Sequence, residues 1–194
     1  MVTRLHPLLI KRFEDDVIRC LNISSQKNNN VFALAISGGA DSMCMAALMT
    51  AIAKKHSIVL VALIVDHALR IESNQEALRV QEWLINYLEL RSCILQWEHS
   101  HEIKSNVQSE ARNARYSLLH SYCSQRSIDY LFVAHNKNDQ AETVMLNMLR
   151  GTGLDGLCGM YSSSHHRGNT PKIIRPLLGW TRKEILAVIK KLEL

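Results

Sequence analysis

The chain has 194 residues, and its hydrophobic content of 47% and charged content of 21% are typical of a soluble globular protein. No apolar run is long enough to span a membrane, and residues 1–7 lack the apolar core of a secretion signal, so we expect a cytoplasmic protein. The formal charge of +5 permits a polyanionic partner without requiring one. A chain of this length predicts one main domain over residues 1–194.

The N-terminal part of the chain predicts a helix followed by a buried strand. Apolar residues recur at helical spacing and predict an amphipathic helix over about residues 7–22. The polar run 24–30 is typical of a linker, and the continuous apolar run 31–36 predicts a fully buried strand. The apolar face of the helix consists of Leu8, Leu9, Phe13, Val17 and Leu21.

A loop of small and polar residues, 37–42, separates this strand from an apolar helix. Gly38 and Gly39 can adopt positive φ and allow the backbone to approach a ligand closely, and Asp41 or Ser42 can cap the helix. Unpaired N–H groups at a helix start favour a bound phosphate or pyrophosphate. The loop has neither the Walker A ending nor the spacing of a dinucleotide fingerprint. The structural alternative is a glycine turn with a capping aspartate.

The second predicted strand covers residues 58–65 and ends at the polar pair Asp66 and His67. Ser73 and Glu76 have the spacing of a capping box, which predicts the start of the next helix. Polar side chains therefore follow this strand directly, as they follow the first one.

A third strand is predicted at 93–97, and its flank 98–102 contains two histidines and two glutamates. Alternating short polar residues after a strand favour a solvated loop over a metal site. A capping signal at Ser105 predicts a long helix, on which Arg112 and Arg115 project together because they lie three residues apart. For two helix arginines taken alone, a solvated surface is the favoured interpretation.

The fourth predicted strand, 130–134, is followed at once by the polar cluster 135–139 and a helix. Asp139 and Glu142 place two carboxylates on one face of the first turn of that helix. The structural interpretation is an N-cap with a partner that complements the helix dipole. The functional interpretation is that the carboxylates hold Mg²⁺ or the ammonium group of an amine substrate.

A short fifth strand is predicted at 173–178, and a capping box of Thr181 and Glu184 predicts a last helix. This helix has no C-cap signal, so we expect that the natural protein either continues beyond Leu194 into a further domain or is unusually short. Alternating strands and helices predict an α/β fold, with a doubly wound, mostly parallel five-stranded sheet and helices on both faces, as in Rossmann-like proteins. Because ligands bind at the carboxyl ends of such strands, the three polar clusters should meet at one edge.

Several of these phrases together resemble the catalytic N-terminal domain of the tRNA(Ile)-lysidine synthetase family, one of the N-type ATP pyrophosphatases or PP-loop enzymes. The loop 37–42 matches the S-G-G-x-D-S pattern of the whole superfamily, whereas the phrase 135–153 is much more specific. The phrases 65–70, 108–116 and 175–178 match as well. The resemblance extends over about residues 31–190, and implies a fold of the adenine nucleotide alpha hydrolase type.

This resemblance implies a ligase that uses ATP, Mg²⁺, free L-lysine and a CAU-anticodon tRNA(Ile). The wobble cytidine is adenylated with release of pyrophosphate, and lysine then replaces AMP. Further C-terminal domains usually grip the tRNA in this family. The implied ATP-binding residues are Ser37, Gly38, Gly39, Ala40, Asp41, Ser42, Asp66 and His67. The implied catalytic residues are Asp41, Asp139, Glu142, Arg112 and Arg115, the implied substrate contacts are His135, Asn138, Asp139 and Glu142, and Asp41 is the implied Mg²⁺ ligand.

Two other functions remain open at this point. A PP-loop tRNA thiolase would use the same adenylation and deliver sulfur, but such enzymes generally need a cysteine pair. The five cysteines here have no C-x-x-C pair, and most lie among apolar residues, which favours reduced core thiols and offers no iron–sulfur or zinc site. A regulatory module that binds ATP without cleaving it would not need charged Asp41, Asp139 and Glu142 around the phosphates. The sequence leaves the oligomeric state open, a homodimer included.

Overall fold

The computed structural model of the chain describes residues 5–21, 30–70, 72–98, 106–164 and 170–192, the side chains of residues 154 and 155 excepted. The linker predicted at 24–30, the flank 98–102 and the capping residue Ser105 lie wholly or largely outside these ranges. The described helices are α1 (Pro7–Leu21), α2 (Ala40–His56), α3 (Ser73–Leu88), α4 (Val107–Gln125), α5 (Lys137–Leu149), α6 (Leu154–Leu157) and α7 (Arg182–Lys191). The strands are β1 (Val31–Ile36), β2 (Val59–Asp66), β3 (Ser92–Gln96), β4 (Tyr130–Phe132), β5 (Ser163–Ser164) and β6 (Lys172–Ile174).

The strands form one sheet in the order β3-β2-β1-β4-β6-β5. Neighbouring strands are parallel except for β5, which pairs with β6 in the antiparallel direction. The predicted doubly wound, mostly parallel sheet is therefore confirmed, with one strand more than the five predicted. The additional strand β5 has two residues, which is too short for a hydrophobic pattern to indicate it.

Helices cover both faces of the sheet, as predicted. Alternate residues of β1 point to opposite sides, so Phe32 and Leu34 join the larger apolar cluster with α1, α2, α3 and α7. Ala33 joins the smaller cluster, to which α4 contributes the buried residues Leu119 and Cys123. From β1 the chain continues to β2 and β3 on one side of the sheet, whereas β4, β6 and β5 lie on the other side of β1. A crevice at the carboxyl ends of β1 and β4 follows from this topology.

The starts of two helices differ from the sequence prediction. Gly39 is the N-cap residue of α2, and neither Asp41 nor Ser42 caps it because the helix already begins at Ala40. The predicted capping box of α3 is also wrong, since the hydroxyl of Ser73 donates to the carbonyl of Arg70 instead. The capping box of Thr181 and Glu184 at the start of α7 is confirmed.

Helix α1 is amphipathic, as predicted over residues 7–22, but Leu8 of the predicted apolar face is 73% exposed. Polar contacts as well as its apolar face attach α1 to α2 and α7. Phe13 packs edge-on against Trp180, whose side chain is fully buried. The indole N–H of Trp180 donates to Asp16 at 2.9 Å. On the neighbouring turn, the buried carboxylate of Glu14 accepts from Lys55 at 2.8 Å and lies 2.5 Å from Nε2 of His56. These two bonds lower the pKa of Glu14.

The cysteines follow the interpretation as core thiols only in part. Cys20, Cys44 and Cys123 are buried, whereas Cys93 is half-buried and Cys158 is exposed. Burial raises the pKa of Cys44 and of Cys123 to about 12. None of the helices in the described part of the chain is long and apolar enough to cross a bilayer.

Candidate active site

One cavity of about 420 Å³ opens at the carboxyl ends of β1, β2 and β4. The glycine loop after β1 lines it, and so do the polar residues that follow β2 and β4. The convergence of three polar clusters at one edge of the sheet is therefore confirmed. The predicted site residues in its wall are Ser37, Gly39, Asp41, Ser42, Asp66, His67, Arg115, His135 and Asp139.

The glycine loop has one position that only glycine fits well. Gly38 has a φ of +80°, in the left-handed region that L side chains rarely adopt. A Cβ atom at this position would lie 2.6 Å from Cγ2 of Val80 on α3. The loop is therefore held close to α3, at the edge where the chain turns into α2.

The hydroxyl of Ser42 braces the loop from within. It donates to the carbonyl of Gly39 at 2.9 Å and accepts from the N–H of Ser37 at 3.2 Å. The side chain is nearly buried. The first N–H groups of α2 have no partners within the helix and carry its positive dipole end. Ser42 thus shapes a turn whose remaining N–H groups suit an anion.

Asp41 lies in the first turn of α2, next to these N–H groups. Its Oδ2 atom accepts from Nη1 of Arg182. Its Oδ1 atom is shielded from solvent and has no hydrogen-bond partner among the described residues. A buried carboxylate oxygen that lacks a donor suits a hard cation, so Asp41 fits the role of a Mg²⁺ ligand. Among the described residues, no three His, Cys, Asp or Glu side chains cluster as a ready-made metal site.

Asp66 ends β2 as a buried carboxylate with several donors. Its Oδ1 accepts from the N–H of Ala68 at 2.9 Å, and Oδ2 lies 3.5 Å from the side-chain nitrogen of Asn74. Burial raises the pKa of Asp66, but the bonds from Ala68, Ser73 and Asn74 outweigh it, so the pKa is lowered. Asp66 is therefore ionised near neutral pH and holds the turn that follows β2.

Arg115 determines which nitrogen of His67 carries the proton. Nε and Nη2 of Arg115 lie 3.4 Å and 3.2 Å from Nε2 of His67, and a guanidinium only donates, so Nε2 is the acceptor. Burial and then the charge of Arg115 lower the pKa of His67, which keeps the ring neutral. Nδ1 therefore bears the proton, and it has no partner among the described residues. His67 can donate from this atom to an acceptor on a ligand.

His135, at the end of β4, is half-buried and forms part of the cavity wall. Nε of Arg175 donates to its Nδ1 at 3.3 Å. Burial lowers the pKa of His135 to about 4, and the charges of Arg175, Arg112 and Arg115 add to this effect. Arg175 also donates to the carbonyl of Tyr161 and to the hydroxyl of Ser164, which ties β5 to the site.

The two acidic residues of α5, Asp139 and Glu142, have different surroundings. Asn136 is the N-cap residue, and Asp139 completes a capping box by accepting from its N–H at 2.8 Å. Asp139 also lies in the cavity wall, so the structural interpretation is confirmed and the functional interpretation stays a prediction. Glu142 and Asn138 are exposed and lie outside the wall. The amide oxygen of Asn138 accepts from the N–H of Arg182 at 3.3 Å.

Arg112 and Arg115 have different surroundings in spite of their spacing. Both side chains are exposed, but Arg115 lines the cavity, whereas Arg112 does not. The guanidinium of Arg112 lies 5.6 Å from the ring centre of Tyr116. Gly38 and Ala40 are likewise absent from the wall, although both belong to the loop.

Sequence reasoning missed two arginines that contact predicted site residues, Arg175 and Arg182. Arg175 was predicted inside the strand 173–178, whereas the observed β6 ends at Ile174 and Arg175 follows it directly. The capping box of Thr181 was a signal for the second arginine, because it places Arg182 at a helix start.

The chain is similar in sequence to known proteins. Residues 12–194 match the PP-loop domain family. The tRNA(Ile)-lysidine synthase of Wolbachia pipientis wMel is 46% identical over 163 residues, which cover 84% of this chain and 37% of that protein. The tRNA(Ile)-lysidine synthase of Anaplasma marginale is 41% identical over 176 residues, which cover 90% and 36%. The chain thus spans little more than a third of the length of these relatives.

The fold has counterparts among solved structures. The U34-tRNA thiolase NcsA from Methanococcus maripaludis superposes with a TM-score of 0.76, at 23% identity, over 96% of this chain and 65% of that one. At this identity the likeness concerns the fold alone. The match to residues 12–194 covers the glycine loop, the ends of β2 and β4 and both acidic residues of α5, and the chain belongs to the PP-loop domain family.

Proposed function

We propose that this chain carries the catalytic centre for ATP-dependent attachment of lysine to C2 of the wobble cytidine in a CAU-anticodon tRNA(Ile). The proposal rests on one observation: the glycine loop, the end of β2 and the first turn of α5 line the same cavity. The names of relatives that are 41–46% identical support the same reaction.

In the first step, the C2 oxygen of the cytidine attacks the α-phosphorus of ATP, and the bond to the β-phosphate breaks. Pyrophosphate leaves, and the N–H groups at the start of α2 are placed to bind it. Neutral His67, which donates from Nδ1, and Asp66 face the adenosine part in this arrangement. The positive charge of Arg115 lies in the same wall and can stabilise the adenylated base or its phosphate.

In the second step, the amine of free lysine attacks C2, the C2–O bond breaks and AMP leaves. A proton is lost from the amine in the process. Asp139 and Glu142 are the acidic side chains that suit the ammonium group at one end of lysine, and His135 and Asn138 lie beside them. Nδ1 of neutral His135 accepts from Arg175, so Nε2 bears the proton and can donate to a substrate oxygen. The neutral ring does not repel the substrate amine.

Asp41 is the residue that would hold Mg²⁺, since its Oδ1 atom is buried without a donor among the described residues. Mg²⁺ at this position would neutralise charge on the leaving pyrophosphate. We expect the protein to act in the cytoplasm, where its substrates are present. The homodimer stays a prediction.

Sulfur transfer after the same adenylation, as in a tRNA thiolase, is less well supported. The similarity to the thiolase is at 23% identity, against 41–46% for the lysidine synthases. A regulatory module that only binds ATP would leave without a use the Oδ1 atom of Asp41 in the cavity wall, which has no hydrogen-bond partner among the described residues.

The test is an incubation of the protein with ATP, Mg²⁺, labelled lysine and a CAU-anticodon tRNA(Ile). We expect lysine transfer to RNA together with release of AMP and pyrophosphate, and no transfer when the wobble cytidine is replaced. Pyrophosphate release that depends on tRNA, without lysine transfer, would retain the adenylation and contradict the choice of second substrate. Asp41→Ala should abolish pyrophosphate release, and unchanged release would contradict the role of Asp41.

A further inference from the structure

We propose that Arg182 is a pyrophosphate-binding residue that exchanges partners, pairing with Asp41 in the free protein and with phosphate oxygens once ATP is bound. This inference rests on the proposed function only in taking the cavity as an ATP site. Its first support is the contact between Nη1 of Arg182 and Oδ2 of Asp41, which brings a cation from α7 to the first turn of α2.

The charge balance of the loop calls for such a cation. A triphosphate at the start of α2 would bring several negative charges next to Asp41, whose repulsion must be offset. Arg182 does not line the cavity and reaches the site through its contact with Asp41. Of the arginines in the cavity wall, Arg70 pairs with Glu76 and Arg115 donates to His67 on the side of β2. Within the described ranges, Arg182 is the basic residue that forms an ion pair with a side chain of the glycine loop or the first turn of α2.

The ion pair between Arg182 and Asp41 can be replaced by a bond from Arg182 to phosphate. The side chain of Arg182 is 47% exposed and that of Asp41 is 25% exposed, so water screens their attraction. Exposed pairs of this kind contribute little to stability. Bonds from a guanidinium to phosphate are stronger, because the anion carries more charge and accepts two parallel bonds. Transfer of the guanidinium to phosphate is therefore favourable, and it leaves both oxygens of Asp41 available to a cation.

The backbone of Arg182 is held in place by contacts that do not involve its side chain. The capping box of Thr181 and Glu184 fixes the first turn of α7, and Arg12 donates to Glu184 at 2.6 Å. The N–H of Arg182 donates to Asn138, which connects this turn to α5. Only rotation about the side-chain bonds is then needed to move the guanidinium from Asp41 to a neighbouring phosphate.

A double-mutant cycle tests the proposal by calorimetric titration of the whole chain with inorganic pyrophosphate, in the absence of metal. Arg182→Gln should weaken binding about 10- to 100-fold. Asp41→Asn should strengthen binding about two- to fivefold, because the repulsion between Asp41 and the anion is removed and Arg182 is released from its partner. The decisive comparison is Arg182→Gln in the Asp41→Asn background, where we expect the loss of affinity to persist.

Lys183→Gln is the matched control, since it removes an exposed positive charge from the next position of α7. It should change the affinity less than twofold, and Arg182→Lys should bind between the wild type and Arg182→Gln. Thermal melting of each variant verifies that α7 remains folded.

An Arg182→Gln variant that binds like the wild type would overturn the inference and leave the proposed function intact. Loss of the effect in the Asp41→Asn background would also overturn it, because Arg182 would then act only through Asp41. A wild-type chain that binds neither pyrophosphate nor ATP would contradict both proposals.

Discussion

Nε of Arg175 donates a hydrogen bond to Nδ1 of His135 across 3.3 Å, so a permanent cation faces a titratable ring at the end of β4. Together with burial, this contact holds the pKa of His135 at about 4. We expect the ring to remain neutral through the neutral range and to gain its proton only near pH 4. Substitution of Arg175 by Gln should raise the pKa, which ¹⁵N chemical shifts of the imidazole would report.

The lowered pKa of His135 makes the free energy of unfolding depend on pH. In the unfolded chain His135 binds a proton near its ordinary pKa of about 6.5. The unfolded state therefore binds more protons between about pH 6.5 and 4, and stability falls as the pH falls through this window. His135→Gln should flatten that part of the stability curve measured by urea unfolding. His120→Gln, at a half-buried histidine of α4 outside the cavity wall, is a control that should leave the contribution of His135 in place.

Gly38→Ala should damage both the fold and nucleotide binding. The substitution forces a side chain into φ +80° and against Val80, which we expect to destabilise the protein by about 1–3 kcal/mol. Gly39→Ala is the matched control: its φ is −74° and an added Cβ would meet only Ser37 Oγ at 3.6 Å. Urea unfolding and ATP titration of both variants would test this, and equal losses would contradict the argument.

Substitutions of the two carboxylates of α5 should have different effects on the free energy of unfolding and on activity. Asp139→Ala removes half of a capping box and should cost about 1 kcal/mol in addition to lowering activity. Glu142→Ala changes an exposed residue and should leave the free energy of unfolding unaltered while raising the KM for lysine. Unfolding curves and lysine saturation curves measure the two effects. A Glu142→Ala variant with normal lysine kinetics would remove this residue from the site.

Glu14→Gln should weaken the contact between α1 and α2 and lower the free energy of unfolding. The buried carboxylate accepts from Lys55 and pairs with His56, and we expect a loss of about 1–3 kcal/mol. Because the pKa of Glu14 is lowered in the folded state, its contribution is present above the unfolded pKa near 4.5 and disappears as the pH falls. The difference between variant and wild type should therefore shrink in acid. Asp15→Asn, which breaks the exposed pair with Lys11, should change the free energy of unfolding much less.

Much of this architecture was predictable because buried strands and loop glycines leave local signals. The runs 31–36 and 58–65 indicated β1 and β2, and the polar residues after them indicated the edge at which the cavity lies. The capping errors at Ser73 and Asp41 arose because several residues in a row could act as caps. Which hydroxyl or carboxylate finds an N–H depends on a one-residue shift in the helix start, which composition does not report.

The pairings within the site were not predictable for a different reason. Arg182 reaches Asp41 over 141 positions in the chain, and Arg175 reaches His135 over 40. Such contacts depend on the order of the strands, which places β6 next to β4, and on rotamers that have no sequence pattern. Two arginines on α4 illustrate the same limit, since Arg115 lines the cavity and Arg112 does not.

Two hydrogen bonds join the starts of α5 and α7: the N–H of Lys137 donates to the carbonyl of Trp180, and the N–H of Arg182 donates to Asn138. Neither helix start can therefore open without breaking a bond to the other. Amide hydrogens in these two turns should exchange with solvent as one cooperative unit, at a common free energy of opening. The acidic pair and the arginine that contacts the glycine loop would then be lost and regained together, as a single event of local unfolding.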